Sequence, residues 1–266
     1  MADIFPLNTD TLKRGYMKKF LTLLFLLGGI FNMVAAEGTL CLTFDDRYFE
    51  NWKKAIPLFK KYNATVTFFV YGNIDTQAVE TMKILQSAGH TIGLHGINHV
   101  RSVDYIQKNG TDEFIKNEIM PQLEICRKNG ITIRAFAYPF SQRSSETDQA
   151  LFPTFDFLRT SWAEIRKKES PLVNTNQCFL KKIAGKQLFY GFPGSGNFNM
   201  DEIKAAMKRA SEEASVLVVY AHNITKEIPP SHHIAESQLI QLLEYAKTLK
   251  LSVKGLNELE SVPNKG

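Results

Sequence analysis

Two pairs of polar residues in the sequence are typical of metal and acid–base chemistry. Asp45 and Asp46 end an apolar run that begins at Thr39, and three residues separate His95 from His99. Two imidazoles at this spacing can bind one metal ion if the chain turns helically after a strand. With the carboxylate of Asp46 they form a ligand set that suits zinc, cobalt, nickel or iron. An Asp-Asp pair in a helix cap or turn, and a chance histidine pair, are the alternatives.

The other histidines fall into two groups. His222 directly follows the apolar segment Val216–Ala221, and a histidine at a strand end can serve as acid, base or ligand, although a lone histidine is more often structural. His90 opens a predicted strand, whereas His232 and His233 follow two prolines in a loop. We expect these three to be structural or solvent-facing, with the loop pair as possible lining of a groove.

Short apolar strands alternate with helical segments from residue 39 onward, which predicts an α/β domain with parallel strands. The predicted strands cover residues 39–43, 64–70, 90–94, 131–137, 155–160 and 216–221, and the predicted helices about 50–62, 76–89, 111–129, 200–214 and 234–249. The loop at 191–196 is expected to be a flexible connection or a groove edge. Such a pattern is typical of a doubly wound sheet or of a barrel, and periodicity alone does not choose between them. In both, the carboxyl ends of the strands meet on one face, where ligands bind.

The N-terminal residues are predicted to be a targeting segment rather than part of the fold. Lys18 and Lys19 precede an apolar run of about a dozen residues, and small residues follow it up to Ala36. The run is shorter than the ~20 residues that a membrane-spanning helix needs. We expect residues 1–36 to be an N-terminal extension with a secretory signal peptide and 37–266 to be the catalytic domain. After cleavage the protein would have no stable membrane span and would be periplasmic or extracellular; an uncleaved anchor is the alternative.

Charge and cysteine content exclude several classes of protein. The formal net charge of +5 falls to +3 without residues 1–36, and no run of Lys and Arg interleaved with aromatics occurs. Nucleic acid is therefore not an expected partner. The three cysteines, Cys41, Cys126 and Cys178, are odd in number and far apart, which predicts packing residues rather than disulfides or a zinc ribbon. The sequence makes no prediction of an oligomeric state.

Four motifs follow one another along the chain: Thr43-Phe44-Asp45-Asp46, His95-x-x-x-His99, Tyr138-Pro139-Phe140 and Tyr220-x-His222. In this order they resemble the polysaccharide deacetylases of the NodB-homology type, carbohydrate esterase family 4. The resemblance implies an α/β fold, a distorted (β/α) barrel with about seven parallel strands. It also implies a divalent metal ion, zinc by default, held by Asp46, His95 and His99, with Asp45 as the catalytic base and His222 as the general acid.

The resemblance further implies an enzyme that hydrolyses acetyl groups on an N- or O-acetylated polysaccharide or oligosaccharide. Tyr138, Pro139 and Phe140 would form one wall of the substrate groove, and the backbone N–H of Phe140 would stabilise the oxyanion. Trp162 would form the apolar side of the acetyl pocket, with core packing as its alternative.

Two positions depart from the family pattern. Ala137 stands where many members carry an arginine that orients the base. Arg134 and Arg159 are candidates for that role, but Arg134 is three residues from Ala137 on one strand and so should face the opposite side. An ordinary surface or ion-pair role is the alternative for either arginine. No Asp-Trp pair occurs at Trp162 to tune the acid histidine. These departures leave two alternatives open: a carbohydrate-binding relative without catalysis, and an amidohydrolase acting on a small non-sugar amide.

Overall fold

A computed structural model describes residues 38–165, 172–181, 183, 185–194, 199–227 and 232–259. The predicted signal segment, residues 1–36, lies outside these ranges, as does the Pro229-Pro230 pair. Within the described ranges, no helix has both the length and the apolar character required to cross a membrane.

The described chain alternates between strands and helices. The strands are β1 Thr39–Asp46, β2 Thr67–Val70, β3 Thr91–Leu94, β4 Ile133–Ala137, β5 Phe157–Ser161, β6 Phe179–Leu180, β7 Gln187–Pro193, β8 Val216–Ala221, β9 Ile224–Thr225, β10 Ile234–Ala235 and β11 Ser252–Val253. The helices are α1 Phe49–Lys61, α2 Thr76–Ser87, α3 Ser102–Asn109, α4, α5 Ser145–Leu151, α6 Met200–Glu212 and α7 Glu236–Thr248. Helix α4 consists of Thr111–Phe114, a π-helical turn Ile115–Ile119, and Met120–Lys128. Every strand and helix predicted above is present, and all but the strand at 216–221 have at least one shifted end.

Seven parallel strands close into a barrel in the order β1-β2-β3-β4-β5-β7-β8, and β8 pairs with β1 again. The closing register joins Phe44 on β1 to Ala221 on β8. Outside the ring, β11 runs parallel to β1 and β6 antiparallel to β8. The structure confirms the predicted distorted (β/α) barrel of about seven strands, and it excludes the open doubly wound sheet.

Side chains that alternate along the strands fill two separate apolar regions. One lies inside the barrel and includes Cys41, Phe69, Phe157 and Phe189; the larger one lies between the strands and the helices. Gly93 on β3 is required by this packing, because a Cβ there would come within 2.4 Å of the Phe69 ring. The three cysteines are free and buried, as predicted.

Sequence patterning missed helices α3 and α5 and strand β7. The predicted loop at 191–196 is wrong at its start, because Gly191 lies within β7 and pairs with Ser161 on β5. Glycine and proline within Gln187–Pro193 give this strand the composition of a loop. Gly191 has a packing role: a Cβ there would approach Cδ of Arg159 to 3.0 Å.

Candidate metal centre and active site

The two aspartates at the end of β1 reach the same end of the barrel by different routes. Asp45 is still in extended strand and is 2% exposed. Asp46 has φ of 84°, in the left-handed region that Asp tolerates better than most residues. The chain therefore turns at Asp46, and its carboxylate joins the site beside that of Asp45.

Asp46, His95 and His99 form the predicted ligand cluster. The Nε2 atoms of His95 and His99 are 3.2 Å apart, and Oδ1 of Asp46 is 3.8 Å from Nε2 of His99. One ligand atom from each of the three residues lies within 4.8 Å of the others. Nδ1 of His95 donates a hydrogen bond of 2.7 Å to the carbonyl oxygen of Ala137. The proton is therefore on Nδ1, and Nε2 has the lone pair that could bind a metal ion.

The electrostatics of this cluster suit a cation. Burial lowers the pKa of His95 to about 3, and burial also lowers the pKa of His99, so both imidazoles are neutral near pH 7. Burial, with the neighbouring Asp45 carboxylate, raises the pKa of Asp46. A divalent ion would offset the cost of burying these groups. Two neutral imidazole nitrogens and one carboxylate are a donor set that fits first-row divalent metals.

Asp45 forms a buried ion pair with Arg159. Nη2 of Arg159 donates to Oδ2 of Asp45, whereas Oδ1 is buried and has no hydrogen-bond partner within the described part of the chain. Burial alone would raise the pKa of Asp45, but the Arg159 guanidinium, with His95 and His222, outweighs it and lowers the pKa. Asp45 is therefore ionised at neutral pH, with one oxygen held and the other free.

Arg159 reaches Asp45 from the strand next to Ala137. Ala137 on β4 and Arg159 on β5 are register partners, so the guanidinium enters the barrel end beside the position where the family pattern has its arginine. Its Cζ lies 5.3 Å from the centre of the Phe69 ring and 4.9 Å from that of Tyr220. Arg134 instead pairs with Asp156 at 2.5 Å and does not line the cavity described below.

His222 follows β8 and is oriented by the loop at His232. Its Nδ1 donates to the carbonyl oxygen of His232 at 2.9 Å, and its backbone N–H donates to the same oxygen at 2.9 Å. The carbonyl oxygen of His222 accepts from Nε1 of Trp52 at 3.0 Å. The pairing of His222 with His232 was not predicted from the sequence, because the backbone of His232 makes the contact.

Asp45, His95, His99, Arg159 and His222 line one cavity of about 570 Å³, whereas Asp46 is not among its lining residues. Its lining residues are Asp45, His95, His99, Tyr138, Phe140, Ser141, Arg159, Ser161, Ala163, Tyr220, His222 and His232. Phe140 lies at the rim, 56% exposed, with φ of 53°. Its ring centre is 4.7 Å from that of His99, and the guanidinium of Arg101 lies 4.6 Å above it. The rim therefore offers an exposed aromatic ring directly beside a candidate metal ligand.

The residues assigned to the substrate groove are placed differently from one another. Tyr138 and Phe140 line the cavity, whereas Pro139 is buried within the 3-10 turn Pro139–Ser141. Trp162 is 7% exposed and is not among the lining residues. Its ring packs against Phe192 at 5.0 Å, which favours the core-packing alternative.

Tyr220 and Ser161 line the cavity but were not singled out as site residues. The hydroxyl of Tyr220 lies 3.2 Å from Oγ of Ser161. Both are at or next to the end of a barrel strand, β8 and β5 respectively. Position at a strand end was the signal that could have identified them.

Comparison with known proteins agrees with this geometry. The sequence model described as polysaccharide deacetylase matches residues 33–152. Over 76 residues the chain is 34% identical to peptidoglycan-N-acetylmuramic acid deacetylase PdaA of Bacillus subtilis, covering 27% of this chain and 29% of that protein. Over 64 residues it is 33% identical to a peptidoglycan deacetylase of Helicobacter pylori, covering 24% and 22%. The matched segments thus span less than a third of the length of these relatives.

Two solved structures share the fold. A CE4 esterase of Streptococcus mutans superposes with a TM-score of 0.54 at 18% identity, covering 84% of this chain and 87% of that one. The chitin deacetylase of the fungus Colletotrichum lindemuthianum superposes with a TM-score of 0.53 at 15% identity, covering 87% and 91%. Barrel, motifs and matched segment define the class as a NodB-type α/β barrel. Residues 33–152 match the polysaccharide deacetylase family, and the two superposed structures share the fold over most of the chain.

Proposed function

We propose that the protein is a metal-dependent hydrolase that removes acetyl groups from an N- or O-acetylated glycan outside the cytoplasm. The observation that carries the proposal is that one cavity collects an ionised buried carboxylate, Asp45, a half-buried histidine, His222, and two of three clustered metal-ligand residues. Acyl hydrolysis needs a base, an acid and an electrophile around a single reacting carbonyl.

Asp46, His95 and His99 would hold the metal ion, for which zinc is the default and cobalt, nickel or iron also suit the ligands. When bound, such an ion supplies Lewis-acid polarisation of the acetyl carbonyl and lowers the pKa of water. The fit rests on the three converging ligand atoms and on the neutral state of both imidazoles.

Asp45 acts as the base for the attacking water. Its Oδ2 is held by Arg159, and its Oδ1 has no partner within the described residues, so Oδ1 is the oxygen that accepts the proton. The ion pair keeps the carboxylate ionised despite its burial. Arg159 is thus a positioning residue for the base. It orients Asp45, the role that an arginine at the position of Ala137 has in many members of the family.

His222 acts as the general acid. The carbonyl of His232 accepts from Nδ1, so a proton carried on Nε2 is the one available to the departing amine or alkoxide. This carbonyl replaces the carboxylate of the missing Asp-Trp pair near Trp162 as the partner of the acid histidine. The backbone N–H of Phe140 would donate to the oxyanion, since Pro139 beside it has no N–H.

The substrate class is an acetylated amino-sugar polymer. Relatives named as peptidoglycan and chitin deacetylases favour such a substrate, and the exposed ring of Phe140 offers a surface on which a sugar ring can pack. A binding protein without catalysis is less well supported, because Arg159 and the His232 carbonyl fill the two positions that suggested it.

Acetate release from a panel of acetylated glycans and small non-sugar amides tests the proposal. Release by the full chain should require zinc or cobalt and stop with a chelator. Asp45→Asn should lower kcat by roughly 100-fold or more, and His95→Ala should abolish metal-dependent release. Glu124→Gln, on an exposed face of α4, is the matched surface control and should be unchanged. Acetate release from the small amides but not from the glycans would contradict the proposal. So would a folded, zinc-loaded protein that releases acetate from none of the substrates.

A further inference from the structure

Glu118 is a buried carboxylate in the π-helical turn of α4. It is 0% exposed, and no cationic side chain pairs with it in the ranges that the structure describes. A buried carboxylate without a cation is unfavourable unless hydrogen bonds satisfy its oxygens. The hydrogen-bond partners of Glu118 therefore indicate its role in this fold.

Within the described residues, the side-chain hydrogen bonds of Glu118 all go to the short segment between two candidate metal ligands. Its Oε2 accepts from the backbone N–H of Ile97 at 3.1 Å and of Asn98 at 2.8 Å. Its Oε1 accepts from Nδ2 of Asn98 at 2.6 Å. Residues 96–98 join His95 to His99, so the carboxylate is hydrogen-bonded to the segment that connects the two histidines.

The backbone of this segment is shaped to receive an anion. Gly96 has φ of 77°, which directs the next two N–H groups toward one oxygen, in the manner of an anion-binding nest. A Cβ at Gly96 would lie 3.5 Å from Oε2 of Glu118, in ordinary contact, so the conformation rather than space favours glycine here.

Gln122, one turn further along α4, binds the carbonyl groups of the same region. Its Nε2 donates to the carbonyl oxygens of Gly72 at 2.8 Å and Gly96 at 3.2 Å. The backbone N–H of Gly72 also donates to the Gly96 carbonyl at 2.9 Å. The π turn carries one extra residue in its helical repeat, which sets Glu118 and Gln122 against this segment together.

We propose that Glu118 is a positioning residue for the metal centre, which fixes the segment 96–98 so that His95 and His99 converge before any metal is bound. This inference rests on the proposed metal-dependent function. It assigns a role to a residue on a helix outside the four motifs, and it makes metal affinity depend on a carboxylate that is not a ligand.

Zinc affinity of the full chain, measured by calorimetry, is the primary test. Glu118→Ala should weaken binding roughly 10-fold or more, the range typical of residues that orient metal ligands. Asn98→Ala removes only the side-chain contact and should weaken binding less. Glu124→Ala, on the same helix but exposed, is the matched control and should bind like wild type. Excess zinc should restore kcat in Glu118→Ala, which a loss of folded protein would not allow.

Hydrogen exchange of the metal-free protein is the second test, and its wild-type arm does not depend on the folding of a variant. The amides of Ile97 and Asn98 should exchange slowly in wild type and rapidly in Glu118→Ala. Rapid exchange in wild type, or equal zinc affinity of wild type and both variants, would overturn the positioning role alone. Failure of the wild-type chain to bind zinc, cobalt or nickel would overturn the proposed function and the role that depends on it.

Discussion

Arg159 and Asp45 form a buried ion pair at the carboxyl end of the barrel, with side-chain exposures of 1% and 3%. The guanidinium lies between the rings of Phe69 and Tyr220, which fixes its plane. Since its register partner is Ala137, the arginine reaches Asp45 from the neighbouring strand. This pair links the stability of the fold to the ionisation of the proposed base.

Replacement of Arg159 by methionine is expected to damage stability and activity together. The substitution leaves the Asp45 carboxylate buried without its partner, which costs about 3–5 kcal/mol of unfolding free energy. The carboxylate would also lose its orientation and its low pKa, so acetate release should fall sharply in the protein that remains folded. Urea unfolding and acetate release on the same preparation measure both effects.

Arg134→Met is the matched control for that substitution. Arg134 lies on the adjacent strand and pairs with Asp156, but both side chains are more than a third exposed. An exposed pair of this kind contributes at most about 1 kcal/mol, and activity should be unchanged. Similar losses in the Arg159 and Arg134 variants would show that the buried pair has no special role.

The cluster of Asp46, His95 and His99 could be predicted because its signal is local. Each of these motifs lies at the end of one strand: Asp45-Asp46 at the end of β1, and His95-x-x-x-His99 directly after β3. Parallel strands bring such ends together in any barrel. Arg159 remained one of two candidates, because the choice depends on which residues of β4 and β5 are register partners. Strand register arises from packing of the whole barrel, and no local pattern encodes it.

Other parts of the site could not be predicted from the sequence, because their contacts also depend on the folded structure. The partner of His222 is a backbone carbonyl at His232, and a carbonyl is present at every residue whatever the side chain. Glu118 accepts hydrogen bonds from three N–H groups of a loop about 20 residues away in sequence. Trp162 had two interpretations, since a large aromatic residue is usually buried whether or not it also lines a pocket.

Metal binding should stabilise the folded protein. An ion that binds only the native state at 100 times its Kd adds about 2.7 kcal/mol to the unfolding free energy. Thermal unfolding with and without zinc should therefore show a higher Tm with zinc, and His99→Ala should lose most of the increase. Magnesium, which prefers oxygen ligands, is the control ion and should give little change. Equal stabilisation of wild type and His99→Ala by zinc would place the binding elsewhere.

Phe140→Ala is expected to affect substrate binding more than folding. The ring is 56% exposed, so its removal uncovers little core, and the predicted result is a raised KM with unchanged unfolding free energy. The matched control is Ile84→Ala on α2, a comparably exposed apolar side chain at 46%. Steady-state kinetics on a soluble acetylated oligosaccharide provide the measurement. An unchanged KM in Phe140→Ala would argue against contact between this ring and the sugar.

His90 makes the stability of the barrel depend on pH, independently of the metal centre. It is 4% exposed, its Nδ1 accepts from the backbone N–H of Val66 at 3.2 Å, and its ring packs against Phe59 and Phe68. Burial lowers the pKa of His90 to about 4, below the 6.5 of an exposed histidine. Above pH 6.5 both the folded and the unfolded chains carry it neutral, and its contribution is complete.

As pH falls from 6.5 toward 4, the unfolded chain takes up a proton at His90 that the folded chain does not. Stability is therefore lost on acidification, up to about 3 kcal/mol from this residue. His90→Asn keeps an acceptor for the Val66 N–H but does not titrate in this range. Urea unfolding of both proteins at pH 7.5 and 4.5 should show a smaller loss for His90→Asn, by about 2–3 kcal/mol. Because the carboxylates and the other histidines are common to both proteins, their contributions cancel, and equal losses would mean that His90 is protonated in the folded state.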